Sequence, residues 1–71
     1  MVAASVGSQP LSDDDVELLR LLAEGMPAEA VARHLRTSER TVRRRTRQIC
    51  DRLKVATSIQ AVVWAARQGI L

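Results

Sequence analysis

Four arginines, Arg40, Arg43, Arg44 and Arg47, recur within the stretch ERTVRRRTRQICDRLK at positions 39–54. Wound as a helix at about 100° per residue, they fall on one arc, with Asp51 at its far end. A guanidinium stays charged and carries a fork of donors, so such a face suits phosphate oxygens and the O6/N7 edge of guanine. No other residue set in the chain offers competing chemistry. His34 has no second His, Cys or carboxylate at a ligand spacing, so it reads as a surface or helix-end residue and not as a metal ligand. Asp13, Asp14 and Asp15 are consecutive, and on a helix their side chains diverge. They read as dipole caps. There is no nucleophile–base pair and no Gly-rich phosphate loop, so the expectation is no catalytic residue, no cofactor and no metal. Cys50 lies between the basic arc and an apolar stripe and reads as a small, semi-buried filler.

The helix that carries the arginines also carries the means to hold them. Val42, Thr46, Ile49 and Leu53 follow the i, i+4, i+7, i+11 spacing of a buried stripe on the opposite side. Ser38 is a natural cap for its first free amides. The bland alternative is a solvated charged face. Such faces usually mix signs at i,i+4, whereas here only Asp51 balances the four arginines.

Three further helices are expected around this one. Ser12 caps the first, whose acidic opening turn suits the helix dipole, and Leu11 can staple back onto it. Val16, Leu18, Leu19, Leu21 and Leu22 form its broad buried face, and Gly25 ends it in the left-handed conformation. A second helix starts at Pro27, with Ala30, Val31 and Leu35 inward. Only Arg36 and Thr37 separate it from Ser38, which makes the pair a helix-turn-helix. Thr57 or Ser58 caps a fourth helix that stops at Gly69. There Ile59, Val62, Val63 and Ala66 are expected to face the core. Ala61, Ala65 and Gln68 form a smooth, small-residue face suited to another helix. The expected spans are about 13–24, 27–35, 39–54 and 58–68, with residues 1–9 as a disordered arm or linker and 10–71 as the domain.

Composition agrees with an all-α domain. The chain has 71 residues, 46% of them hydrophobic, but Trp64 is its one aromatic, so the core is built from Leu, Val, Ile and Ala. A single cysteine excludes an internal disulfide, and no apolar run approaches a membrane span. A soluble cytoplasmic domain is the expectation. Charge is segregated. Residues 1–31 carry one basic group against six acidic, a net of −5, while residues 32–54 carry nine against two, a net of +7. The positive charge lies around one helix, the footprint expected of a nucleic-acid binder.

The blocks LSDDDVELLRLLAEGM, EAVARHL, TSERTVRRRTRQICDRLKV and SIQAVVWAARQGIL, together covering about residues 11–71, resemble the LuxR/GerE-type DNA-binding domain. The resemblance implies an all-α, four-helix LuxR/GerE-type helix-turn-helix bundle that regulates bacterial transcription, with its third helix in the major groove of double-stranded DNA. It places the DNA-facing positions at Arg43, Arg44, Arg45 and Arg47. Those on the outward arc, Arg43, Arg44 and Arg47, are assigned to base edges, and Arg45, off that arc, to phosphate. Ser38, Arg40 and Thr41 at the helix start are also assigned to phosphate. The family dimerises through its fourth helix, which assigns the homodimer interface to Ala61, Ala65 and Gln68. A missing sensor or receiver domain, or an RNA polymerase contact, is a further implied partner. This chain has Arg43-Arg44-Arg45 where many members have Lys, a variable residue and His. It also has Thr46 for a common Val, Pro27 for a capping Ser, and Lys54 for a common Gly. The alternative from a different class is a protein-interaction module that sets the basic helix on an acidic partner.

Overall fold

The computed structural model describes residues 10–71. The expected arm at residues 1–9 lies outside the described residues. Four helices follow one another: α1 (Asp13–Ala23), α2 (Ala28–Leu35), α3 (Glu39–Leu53) and α4 (Ser58–Arg67), with no strand among the described residues.

Local chemistry accounts for each boundary. At α1, Ser12 Oγ accepts the Asp15 N–H and Asp15 Oδ2 accepts the Ser12 N–H, both at 3.1 Å, closing a capping box with Asp in the usual Glu position. At α4 the box is Thr57 with Gln60, so Thr57 is the cap and Ser58 the first helical residue. Pro27 is the N-cap of α2, one residue outside the helix it was expected to begin. Its fixed φ of −71° suits the entry, and its carbonyl accepts from Ala30 and Val31.

All four helices end in the same way. A residue in the left-handed region follows the last turn, and the next amide reaches back five residues: Met26 N–H to Leu21, Thr37 N–H to Ala32, Val55 N–H to Cys50, and Ile70 N–H to Ala65. These are the bonds of a Schellman ending, and they satisfy carbonyls the helix leaves open. Gly25 (φ +91°) and Gly69 (φ +76°) take the left-handed position in two helices; Arg36 (φ 58°) and Lys54 (φ 59°) take it in the others.

Leu11, Leu18, Leu19, Leu21, Val31, Ala32, Val42, Ile49, Cys50, Ala61 and Ala65 are buried together. Helix α1 packs chiefly on α4, and α2 on α3, while α4 also meets α3. Val42 and Ile49 are in the core, with Leu53 packed against it. Thr46 is half-buried, and its hydroxyl donates to the Val42 carbonyl at 2.8 Å, which makes it acceptable on that stripe. Val16 also packs partly against the core.

Helix α4 differs from expectation. Ala61 and Ala65 have no exposed surface, whereas Ile59 is 73% and Val63 42% exposed, and Ala66 also faces out. The assignment of Ala61 and Ala65 to a dimer interface is therefore corrected; of the three residues only Gln68 is exposed. The small-residue face does serve as a seam between helices, but its partner is α1 of the same chain. Ala61 and Ala65 share one buried cluster with Leu18, Leu19 and Leu21 of α1, and their small side chains let the two helices approach closely at interior packing density.

Candidate nucleic-acid interface

The turn between α2 and α3 sets the pose of the basic helix. Arg36 in the left-handed conformation reverses the chain, Thr37 closes α2, and Ser38 opens α3. Ser38 Oγ accepts the Thr41 N–H at 3.0 Å and donates to Thr41 Oγ1 at 2.9 Å. The Thr41 hydroxyl hydrogen is thereby left to point at an outside acceptor. The amides of Glu39 and Arg40 precede the first helical bond, made by Val42 N–H to the Ser38 carbonyl. Free amides, hydroxyls and the positive end of the helix dipole thus coincide at the start of α3, an arrangement that favours an anion.

With its apolar stripe fixed in the core, α3 presents Arg40, Arg43, Arg44 and Arg47 to solvent, and Arg45 is half-buried at the flank. These five guanidiniums are not equivalent. Glu39 Oε2 accepts from Arg43 Nε at 3.1 Å and also from its Nη2. Among the described residues, Arg40, Arg44, Arg45 and Arg47 make no ion pair. Arg52 has a separate role that the sequence pattern did not reveal. It lies off the basic arc and donates from Nη1 to Asp15 Oδ2 at 2.8 Å and to the Pro10 carbonyl at 3.0 Å, bracing the end of α3 against the start of α1. Asp15, 14% exposed at its side chain, therefore serves two elements.

The other residues singled out from the sequence lie away from this face. His34 is exposed in the last turn of α2. Cys50 is buried on α3; burial first, and the neighbouring Asp51 carboxylate second, push its thiol above the ordinary value, so the thiol stays protonated. On α4, Ile59 and Val63 form an exposed apolar ridge. Both residues also line a groove together with Lys54, Val55, Trp64 and Arg67. The ridge was missed because nearly every residue of α4 is small or apolar, which leaves no polarity contrast to mark the outer face.

The basic, hydroxyl-capped helix is the second of a helix-turn-helix and one of four helices among the described residues, and the chain matches the family model described as bacterial regulatory proteins, luxR family, over residues 9–65. The chain belongs to that family. Its domain is accordingly a DNA-binding regulatory one and not an enzyme. Among curated relatives, the luxR-family chain is 28% identical over 60 residues to the nitrate/nitrite response regulator protein NarL of Escherichia coli strain K12, covering 84% of the chain and 28% of NarL. It is 36% identical over 61 residues to the transcriptional regulatory protein YdfI of Bacillus subtilis strain 168, covering 86% of the chain and 29% of YdfI. A third relative, the uncharacterized transcriptional regulatory protein YxjL of the same strain, is 33% identical over 64 residues, covering 90% of the chain and 29% of YxjL. The chain thus spans under a third of the length of these curated relatives. No solved structure matches it. Among the described residues, no helix is long and apolar enough to cross a membrane.

Proposed function

We propose that this luxR-family domain reads a specific sequence of double-stranded DNA by placing α3 in the major groove. Arg43, Arg44 and Arg47 meet base edges. Ser38, Arg40, Thr41 and Arg45 meet phosphates. The observation that carries this reading is the row of outward guanidiniums, those of Arg40, Arg44 and Arg47 without an ion pair among the described residues, on a helix whose opposite face is locked into the core. An arginine forked onto guanine contributes roughly 1–3 kcal/mol of discrimination, and the hydroxyl-capped start of α3 fixes register on the backbone.

Dimerisation through α4 belongs to the same proposal, with the contact moved to the exposed ridge of Ile59 and Val63. An apolar ridge of this kind is what a second copy would cover so that two α3 helices read two half-sites. Because the relatives are response regulators or regulatory proteins about three times as long, the domain is proposed to act in the cytoplasm behind a sensor or receiver domain.

The test is fluorescence anisotropy on a duplex selected from a random library and on a scrambled duplex, across a salt series. The preferred duplex is expected to bind at least ~10³-fold tighter, and Arg44→Ala to erase roughly 1–3 kcal/mol of that gap. Equal, weak binding to both duplexes with the same steep salt slope overturns the proposal and turns attention to an acidic protein partner.

A further inference from the structure

Among the described residues, Arg43 is the one arginine of the outward arc that makes an ion pair, and its partner lies on the same helix. Glu39 occupies the first turn of α3 and accepts from both Nε and Nη2 of Arg43 through a single carboxylate oxygen. The pair has the favourable i,i+4 order, acid N-terminal to base, and stands near the positive end of the helix. Its side chains remain 44% and 67% exposed, so the pair contributes little to the stability of the fold. A carboxylate on a surface that meets a polyanion is costly unless it does something there.

We propose that Glu39 is a specificity-determining residue, which acts by holding Arg43 for a base and away from a phosphate. The guanidinium has two forked edges. Glu39 occupies the Nε–Nη2 edge. The edge formed by Nη1 and the second Nη2 hydrogen is left, pointing along the side chain, where it fits the O6 and N7 acceptors of guanine. The same carboxylate repels any phosphate that approaches the held guanidinium. In a non-specific complex, where guanidiniums would otherwise settle on the backbone, Arg43 is thereby withheld. The selected sequence loses little, because its contact uses the free edge. Glu39 is a positioning residue that acts through Arg43, and this assignment rests on the DNA-reading function proposed above.

The experiment compares the wild-type chain with Glu39→Gln, Arg43→Ala and the double variant, on selected and scrambled duplexes across a potassium chloride series. Removing the carboxylate frees one guanidinium for phosphate. Glu39→Gln is therefore expected to tighten binding to the scrambled duplex by roughly three- to tenfold and to steepen its salt slope by about one phosphate contact. Binding to the selected duplex changes less, so the ratio of the two affinities falls, by up to that same roughly three- to tenfold. In the Arg43→Ala background the same substitution leaves the ratio unchanged. Equal tightening on both duplexes overturns the proposal, because the carboxylate is then only a general charge. An undiminished loss of ratio in the Arg43→Ala background also overturns it, since Glu39 then acts without Arg43. If the wild-type chain itself shows no sequence preference, the parent function fails first, and that outcome is distinct because it precedes any substitution. A thermal midpoint unchanged by Glu39→Gln shows that the binding changes do not come from unfolding.

Discussion

Six arginines lie on α3, and their partners divide them. Arg40, Arg44, Arg45 and Arg47 make no ion pair among the described residues, Arg43 is held by Glu39, and Arg52 is turned back onto Asp15 and Pro10. Arg52→Ala should therefore act on stability, costing about 1 kcal/mol through the exposed end of its pair, and should leave the ratio between selected and scrambled duplexes unchanged. Urea unfolding and anisotropy together check this. Cys50 carries a pH prediction. Its thiol is raised in the folded state by burial and by Asp51, so the unfolded chain ionises first. The thiol's contribution is intact below the unfolded thiol's pKa and is lost as pH rises from there toward the folded value. Urea midpoints between pH 7 and 10 should fall in the alkaline half, and Cys50→Ala should flatten that fall while costing roughly 1 kcal/mol at pH 7.

The helix ends show where a rule of local structure holds and where the sequence bends it. Four Schellman endings close four helices, yet only two use glycine. Arg36 and Lys54 have a Cβ in the left-handed region, which costs an L-residue about 1–2 kcal/mol. Lys54→Gly should remove that strain and, after the added freedom of the unfolded chain, stabilise the domain by about 0.5–1 kcal/mol. A higher urea midpoint at unchanged slope is the expected result. The glycine-marked ends at Gly25 and Gly69 could be read from the sequence. The other two could not, because nothing in the side chain of Arg36 or Lys54 announces a positive φ. The backbone takes it because the following amides, Thr37 and Val55, reach carbonyls five residues back while Thr37 and Val55 pack inward of solvent.

At the scale of the whole molecule, the packing of α4 on α1 decides which surface is left outside. Ala65→Leu should overfill the space above the α1 leucines and cost roughly 1–3 kcal/mol, seen as a thermal midpoint lower by about 4 °C or more. Ile59→Glu changes a side chain that is 73% exposed and should alter stability by no more than ~0.5 kcal/mol. On the proposed dimer contact it should abolish cooperative occupation of paired half-sites and shift sedimentation toward the monomer. The two variants separate core from contact: an Ala65→Leu chain that keeps its midpoint would contradict the buried seam.

The sequence alone determined α3 and its charge. Arginines and aliphatic residues alternate there with a strong contrast of polarity, so helical periodicity assigns the inner face to Val42, Ile49 and Leu53 and the outer face to Arg40, Arg43, Arg44 and Arg47. It also determined the order of four helices, because their caps and the two stop glycines are local. Only the tertiary structure decided the facing of α4. Ile59, Ala61, Val62, Val63, Ala65 and Ala66 differ little in polarity but greatly in volume. Which of them turns inward depends on the room that Leu18, Leu19 and Leu21 leave, a property of two helices packed together that neither possesses alone. The brace from Arg52 to Asp15 joins residues 37 positions apart and was hidden for the same reason.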